Sequence, residues 1–126
     1  MSGKYSFDHT EEGLRKTLKE YQEIALRCVW ESDEGLTTAP VWRHVNEVLS
    51  EKGQSRSRAS IIFFLDDMVE EGVLDYEVTT GKGGRFRKYK TKLNEREYRK
   101  HMLRKVIDSM MQDFPEETIE VIQEYS

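Results

Sequence analysis

The side chains with the clearest chemical capacity are six cations that follow one another without an intervening carboxylate. They lie within residues 80–93 and are Lys82, Arg85, Arg87, Lys88, Lys90 and Lys92. The other 14 of the 20 basic residues share the chain with all 24 acidic residues, so the net charge of −4 conceals an uneven distribution. Lysine and arginine neutralise phosphates, and a local field steers a protein onto a polyanion more than its total charge does. The run favours contact with a phosphate backbone.

A second group of side chains could read the edges of bases. Arginine can donate two hydrogen bonds to guanine, serine suits several bases, and an apolar ring can contact the thymine methyl group. Asp66 and Asp67, farther along, would repel phosphate unless they accept from cytosine. The candidates for base reading are Arg56, Ser57, Arg58, Ser60 and Phe63.

Helical spacing of apolar residues predicts the elements that position these groups. One helix is expected over residues 11–30, with Cys28 on its core stripe. A second begins at Thr38 as N-cap and ends near Gly53, and a third has Ser57 as preferred N-cap, with Ser55 as the alternative. The buried positions expected on these helices are Leu14, Leu18, Tyr21, Ala25, Val41, Trp42, Val45, Val48, Leu49, Ile61, Phe64, Leu65 and Met68.

Two strands and further helices complete the predicted order. Leu74, Tyr76 and Val78 alternate with polar residues as in a half-buried strand, and residues 85–91 return after a glycine-rich turn. Asn94 and Glu97 form a capping box that opens a long helix, and a short final helix follows Pro115.

This order predicts an α+β, mostly α fold. Residues 11–93 are expected to form a winged helix-turn-helix domain of three helices and a β-hairpin wing, and residues 94–126 a C-terminal helical dimerisation region. In such a domain the third helix presents its N-terminus to the major groove, while the wing contacts phosphates. Thr37 and Thr38, at the start of the second helix, are further candidate DNA contacts. The expected dimer interface consists of Met102, Leu103, Val106, Ile107, Met110 and Phe114.

The residues argue against catalysis, a metal site and a membrane span. The adjacent acids diverge on a helix and have no basic partner, and the three histidines fall in separate elements. The single cysteine excludes an internal disulfide and suits a reducing compartment. We therefore expect a cytoplasmic protein that is not an enzyme and has no cofactor, with double-stranded DNA and a second copy of itself as partners.

Several segments resemble the penicillinase-repressor family of transcriptional regulators, the BlaI, MecI and CopY type. The resemblance runs in register from about Tyr21 to the C-terminus, and PadR-like and MarR-like proteins share part of it. It implies a homodimeric repressor on a dyad operator, with Ser57, Ser60 and Arg85 at positions where the family pattern is kept. The residues that carry it are 36–42, 57–61, 68–74, Gly84 and Arg85 with Tyr89, 93–98 and 114–117.

The chain departs from that family on the exposed side of the third helix. Ile62, Phe63 and Asp67 stand where relatives carry polar or basic residues. An exposed apolar pair beside acids is also typical of a protein-binding surface. The alternative function is therefore a winged-helix interaction module with weak or no specific DNA binding, whose partner or effector the residues do not identify.

Overall fold

The computed structural model describes residues 6–126. Within that range the chain forms five α-helices and one antiparallel hairpin, which confirms an α+β, mostly helical fold. It divides into two units, one up to Glu95 and one of Arg96–Ser126. The elements are α1 (Glu20–Trp30), α2 (Thr38–Ser50), α3 (Arg58–Glu70), β1 (Leu74–Gly81), β2 (Gly84–Thr91), α4 (Glu95–Asp113) and α5 (Pro115–Glu124).

The first helix is shorter than its apolar spacing indicates. The prediction of one helix over residues 11–30 is wrong, because a 3₁₀ turn spans Gly13–Lys16 and α1 begins only at Glu20. Lys19 has an extended backbone, with ψ of 163°, and this interrupts the helical path. The side-chain Oε1 of Gln22 accepts a hydrogen bond of 2.9 Å from the Lys19 N–H and closes the first turn of α1.

The core of the first unit lies between α1, α2, α3 and the base of the hairpin. Cys28 is only half-buried, so its predicted place on the core stripe is wrong, and the inner face of α1 is shifted around the helix. Burial raises the pKa of the Cys28 thiol, which therefore stays protonated at neutral pH. The buried side chains of the three helices are Ala25, Leu26, Val29, Val41, Val45, Leu49, Ile61, Phe64 and Leu65.

The starts of α2 and α3 are defined by their caps. The N-cap of α2 is Thr37, so the prediction of Thr38 is wrong by one residue, and Thr38 is already helical. Ser57 is confirmed as the N-cap of α3, since its Oγ accepts a hydrogen bond of 3.1 Å from the Ser60 N–H.

The hairpin is joined to the segment that precedes α2. Leu36 and Tyr89 exchange two backbone hydrogen bonds, of 2.9 and 2.8 Å, and so form a bridge beside β2. Gly35 makes this approach possible, because its φ is +90° and an added Cβ would lie 2.7 Å from the Tyr89 carbonyl oxygen. The bridge fixes the start of α2 next to the hairpin.

The second unit consists of α4 and α5, and α4 carries a stripe of apolar side chains that are exposed to solvent. Met102 and Val106 are half-buried, whereas Leu103, Ile107, Met110 and Phe114 are exposed. The exposed four recur at spacings of three and four residues along α4 and its end, so they share one side of the helix. No helix in residues 6–126 is long and apolar enough to cross a membrane.

Candidate nucleic-acid interface

A concave groove lies where the start of α2, the exposed side of α3 and the hairpin meet. Its volume is about 620 Å³. Arg58, Ile62 and Asp66 contribute from α3 at intervals of four residues, so they stand on one side of that helix. We call this site the basic groove, and its lining is Thr37, Thr38, Ala39, Arg58, Ile62, Asp66, Lys82, Arg85, Phe86, Arg87 and Tyr89.

The groove holds four cations and one carboxylate. Asp66 is paired with Arg87, whose Nη1 lies 3.1 Å from its Oδ1. Arg58, Lys82 and Arg85 form no ion pair with any carboxylate in residues 6–126. Three uncompensated positive charges from two different elements therefore face one concave surface, and such a surface concentrates anions.

Asp66 tethers α3 to the hairpin. Its Oδ1 accepts a hydrogen bond of 2.6 Å from the Tyr89 hydroxyl as well as the bond from Arg87. The Arg87 guanidinium also lies 4.1 Å from the centre of the Tyr76 ring. The charge of the Asp66 carboxylate is thus compensated by Arg87 within the protein.

Tyr89 belongs both to the core and to the hydrogen-bonded group around Asp66. Its side chain is buried, and burial followed by the hydrogen bond to Asp66 raises the pKa of its hydroxyl well above the ordinary value of 10.0. Because the folded-state pKa is raised, the neutral hydroxyl stabilises the fold below pH 10, and this contribution is lost as the pH rises above that value.

Tyr89→Phe should test that contribution directly. We expect it to lower the free energy of unfolding by about 1 kcal/mol at pH 7, the net value of one hydrogen bond. The gap between variant and native protein should close as the pH rises from 10 to 11. Urea unfolding across this range measures both effects, with Tyr125→Phe as control because Tyr125 is 87% exposed. A gap that stays constant with pH would contradict the assignment.

Side chains of α2 hold the segment that leads into α3. Nε1 of Trp42 and Nδ2 of Asn46 both donate to the Arg56 carbonyl oxygen, at 3.0 and 3.1 Å. The Arg56 N–H donates in turn to Oδ1 of Asn46 at 2.8 Å. The Arg58 guanidinium lies 5.0 Å from the centre of the Trp42 ring, a cation–π distance that orients it. These contacts hold the segment that enters α3 against α2.

The two faces of the hairpin carry different charge. Lys88 and Lys90 stand directly opposite Glu77 and Asp75 in the register, and Nζ of Lys90 lies 3.0 Å from Oε2 of Glu77. Residues opposite each other share a face, so this outer face is charge-balanced. Lys88, a predicted phosphate contact, stands on this face and does not line the basic groove, whereas Lys82, Arg85 and Arg87 do.

Four of the five predicted base-reading residues lie elsewhere or have another partner, and only Arg58 lines the basic groove. Phe63 is 69% exposed and lines a neighbouring hollow of about 560 Å³ with Asp67 and Glu70, and this hollow shares Asp66 and Arg87 with the basic groove. Arg56 lies 4.6 Å from the centre of the Tyr21 ring, outside the basic groove. The Ser60 hydroxyl lies 3.0 Å from that of Ser57, so both serve the cap of α3.

Sequence reasoning missed the contribution of Ile62 to the groove and the role of Asp66. The interval of four residues from Arg58 to Ile62 and Asp66 was the available signal. Nothing in the sequence pairs Asp66 with Tyr89, which is 23 residues away. No group of three or more His, Cys, Asp or Glu side chains within the described part of the chain is placed to hold a metal ion.

Comparison with known proteins supplies no further guide, since no protein-family model matches the chain and no curated protein is significantly similar to it.

Proposed function

We propose that this chain is a winged helix-turn-helix protein that binds double-stranded DNA through the basic groove. The observation that carries the proposal is the convergence of Arg58, Lys82 and Arg85, all without carboxylate partners, on one surface beside the N-terminus of α3. A helix N-terminus brings free N–H groups and a partial positive charge to phosphate. The hairpin then acts as the wing and α3 as the recognition helix.

The groove suggests how the duplex is recognised. Lys82 and Arg85, near the hairpin turn, contact the phosphate backbone, as do the threonines at the start of α2. Arg58, oriented by Trp42, reaches a base edge from the first turn of α3. Ile62 is the apolar side chain within the groove, and it replaces Phe63 as our candidate for contact with a thymine methyl group.

The proposed assembly is a homodimer acting as a transcriptional repressor on a dyad operator, as the resemblance to penicillinase repressors implies. The exposed stripe of Leu103, Ile107, Met110 and Phe114 supports it, because a two-fold seam would bury these four side chains together. A dimer places two recognition helices on the same duplex, one for each half-site. We propose no catalytic activity.

Arg58→Ala should separate base reading from general attraction. We expect it to reduce the discrimination between an operator, selected from a random-sequence duplex library, and unrelated DNA by about 1–3 kcal/mol. Arg58→Lys should restore affinity for unrelated DNA but not the discrimination, because an ammonium group lacks the paired donors of guanidinium. Fluorescence anisotropy with both duplexes measures the difference.

Phe63→Ala is the matched control in that series. Phe63 is exposed outside the groove, so both its affinity for the operator and its melting temperature should stay unchanged. Full discrimination by Arg58→Ala, or loss of discrimination by Phe63→Ala, would contradict this reading of α3.

A second candidate function is favoured by the hollow around Phe63. Asp67 and Glu70 have no ion pair within the described residues, and Val69 and Tyr76 add apolar surface. A hollow that combines an exposed aromatic ring with two unpaired carboxylates fits a segment of another protein that carries basic and apolar side chains. This candidate becomes the better one if the native protein fails to bind duplex DNA at low salt.

A further inference from the structure

We propose that a hollow at the start of α1 binds a small organic anion bearing a carboxylate or a phosphate, and that Arg56 senses it. The hollow has a volume of about 510 Å³, within the range of small-molecule sites. It lies between the 3₁₀ turn, the first turn of α1 and the connection from α2 to α3. The lining residues that matter here are Arg15, Lys19, Glu20, Tyr21, Gln54 and Arg56, and we call it the N-terminal hollow.

Arg15 supplies the most direct argument for an anion. Its Nε is buried and has no hydrogen-bond partner among residues 6–126. A buried donor without an acceptor destabilises the fold, because it has lost its hydrogen bond to water and no protein acceptor replaces it. The loss is larger for a charged donor. An anion in the hollow would provide the missing acceptor, and a guanidinium group suits carboxylate and phosphate alike.

The other charges of the hollow leave cations available. Lys19 and Arg56 form no ion pair within the described part of the chain. The Glu20 carboxylate is paired with Lys52, which lies outside the lining, and this pairing lowers its pKa. Asp8, also in the lining, accepts hydrogen bonds from Thr10.

Lys16 and Glu11 also line the hollow and contribute one positive and one negative charge. Nζ of Lys16 donates to the backbone carbonyl oxygens of His9 and Glu11. The Glu11 carboxylate also lines the hollow and has no cation bound to it among the described residues. Four cations, Arg15, Lys16, Lys19 and Arg56, therefore line the hollow with two carboxylates, Asp8 and Glu11, that no cation pairs among the described residues. The excess of positive charge favours a ligand of negative charge.

The remaining walls indicate what kind of molecule the anion belongs to. Leu18 and Leu49 line the hollow, and the Tyr21 ring contacts both the Arg56 guanidinium and, in a T-shaped arrangement, the Phe64 ring. Leu18 and Leu49 are 5% and 2% exposed, so the half-buried Tyr21 ring is the main apolar surface open to a ligand. A bare inorganic ion would leave that ring uncovered. We therefore assign the site to a small metabolite with a compact apolar body and one acidic group.

The position of Arg56 connects the hollow to α3. Its backbone is held by Asn46 and Trp42, and the next residue is Ser57, the cap of α3. An anion that pairs with the guanidinium draws it away from the Tyr21 ring and displaces the segment that enters α3. Any effect of the ligand on DNA affinity rests on the proposed function, whereas binding of the anion does not.

Isothermal titration calorimetry tests the site without DNA. We expect saturable binding of benzoate to the full chain at constant ionic strength, with weaker binding of inorganic phosphate, which lacks an apolar body. Tryptophan fluorescence should change with the same saturation curve, because Nε1 of Trp42 donates to the carbonyl oxygen of Arg56. Arg15→Gln should weaken the binding at least tenfold and Lys19→Gln severalfold.

Matched variants make the result decisive. Arg104→Gln removes the same charge from an exposed position on α4 and should leave the binding unchanged. If Arg15→Gln fails to fold, Lys19→Gln still tests the site, because Lys19 is exposed. The proposal is overturned if no probe binds saturably, or if both hollow variants bind as the native protein does. A chain that binds the anion but no duplex would reject the proposed function alone.

Discussion

Ile107→Asp combined with Met110→Asp is expected to convert the proposed dimer into a monomer of 14.9 kDa and to weaken binding to the proposed two-half-site operator by about 10²–10⁴-fold. Both side chains lie on the exposed apolar stripe of α4, at 38% and 48% exposure. Two like charges on each side of a two-fold seam repel and lose their water, so the seam does not form. Each half-site is then bound independently, and the advantage of linkage disappears.

Light scattering measures the mass of each variant, and fluorescence anisotropy measures its affinity for DNA. Ser109→Asp combined with Gln112→Asp adds the same charge at exposed positions toward the other side of α4 and should change neither mass nor affinity. Affinity for a single half-site should be similar in all three proteins. A native protein with the mass of a monomer at tens of micromolar would refute the proposed dimer.

The second large effect should follow the removal of the three unpaired cations of the basic groove. Changing Arg58, Lys82 and Arg85 together to alanine should lower the affinity for any duplex roughly a hundredfold at 0.15 M salt. Each lost phosphate contact removes about 0.9 from the slope of log K against log salt concentration, so loss of the two proposed phosphate contacts, Lys82 and Arg85, should lower the slope by about 1.8. The melting temperature should hardly change, because the three side chains lie outside the core.

The hairpin itself supplies the control for this experiment. Changing Lys88, Lys90 and Lys92 to alanine removes the same total charge, but two of these lysines face Glu77 and Asp75 across the strands. That variant should retain most of the affinity and most of the salt slope. Equal losses in the two triple variants would show that total charge, and not the groove, attracts DNA.

The fold was predictable where local signals agreed. The cap at Ser57, the buried Val41, Val45 and Leu49 of α2, and the helix after Pro115 all combine spacing with a terminal signal. The start of α1 was not predictable from apolar spacing, because Leu14 and Leu18 are buried without belonging to that helix. Burial of a side chain fixes its direction but not the backbone that carries it.

The positive charge of the candidate site could be predicted from the sequence, but the ion-pair partners of its residues could not. The cationic run correctly marks the hairpin as the most basic segment, but a linear run cannot show that β1 returns Asp75 and Glu77 to face Lys90 and Lys88. Likewise, the sequence indicates an unpaired carboxylate at Asp66 on the exposed side of a helix, whereas in the structure Tyr89 and Arg87 both donate hydrogen bonds to it. Long-range pairing decides which charges remain available.

The unequal faces of the hairpin also have a consequence for the speed of encounter. A duplex that approaches the outer face meets lysines already matched by Asp75 and Glu77, and it is hardly attracted there. One that approaches the inner face meets the unmatched Arg85 and is drawn in. Since the whole chain carries −4, the proposed encounter with DNA would depend on this local difference between the two faces and not on the total charge. The proposed association should therefore be faster than the net charge suggests, and it should slow steeply as salt screens the unmatched charges.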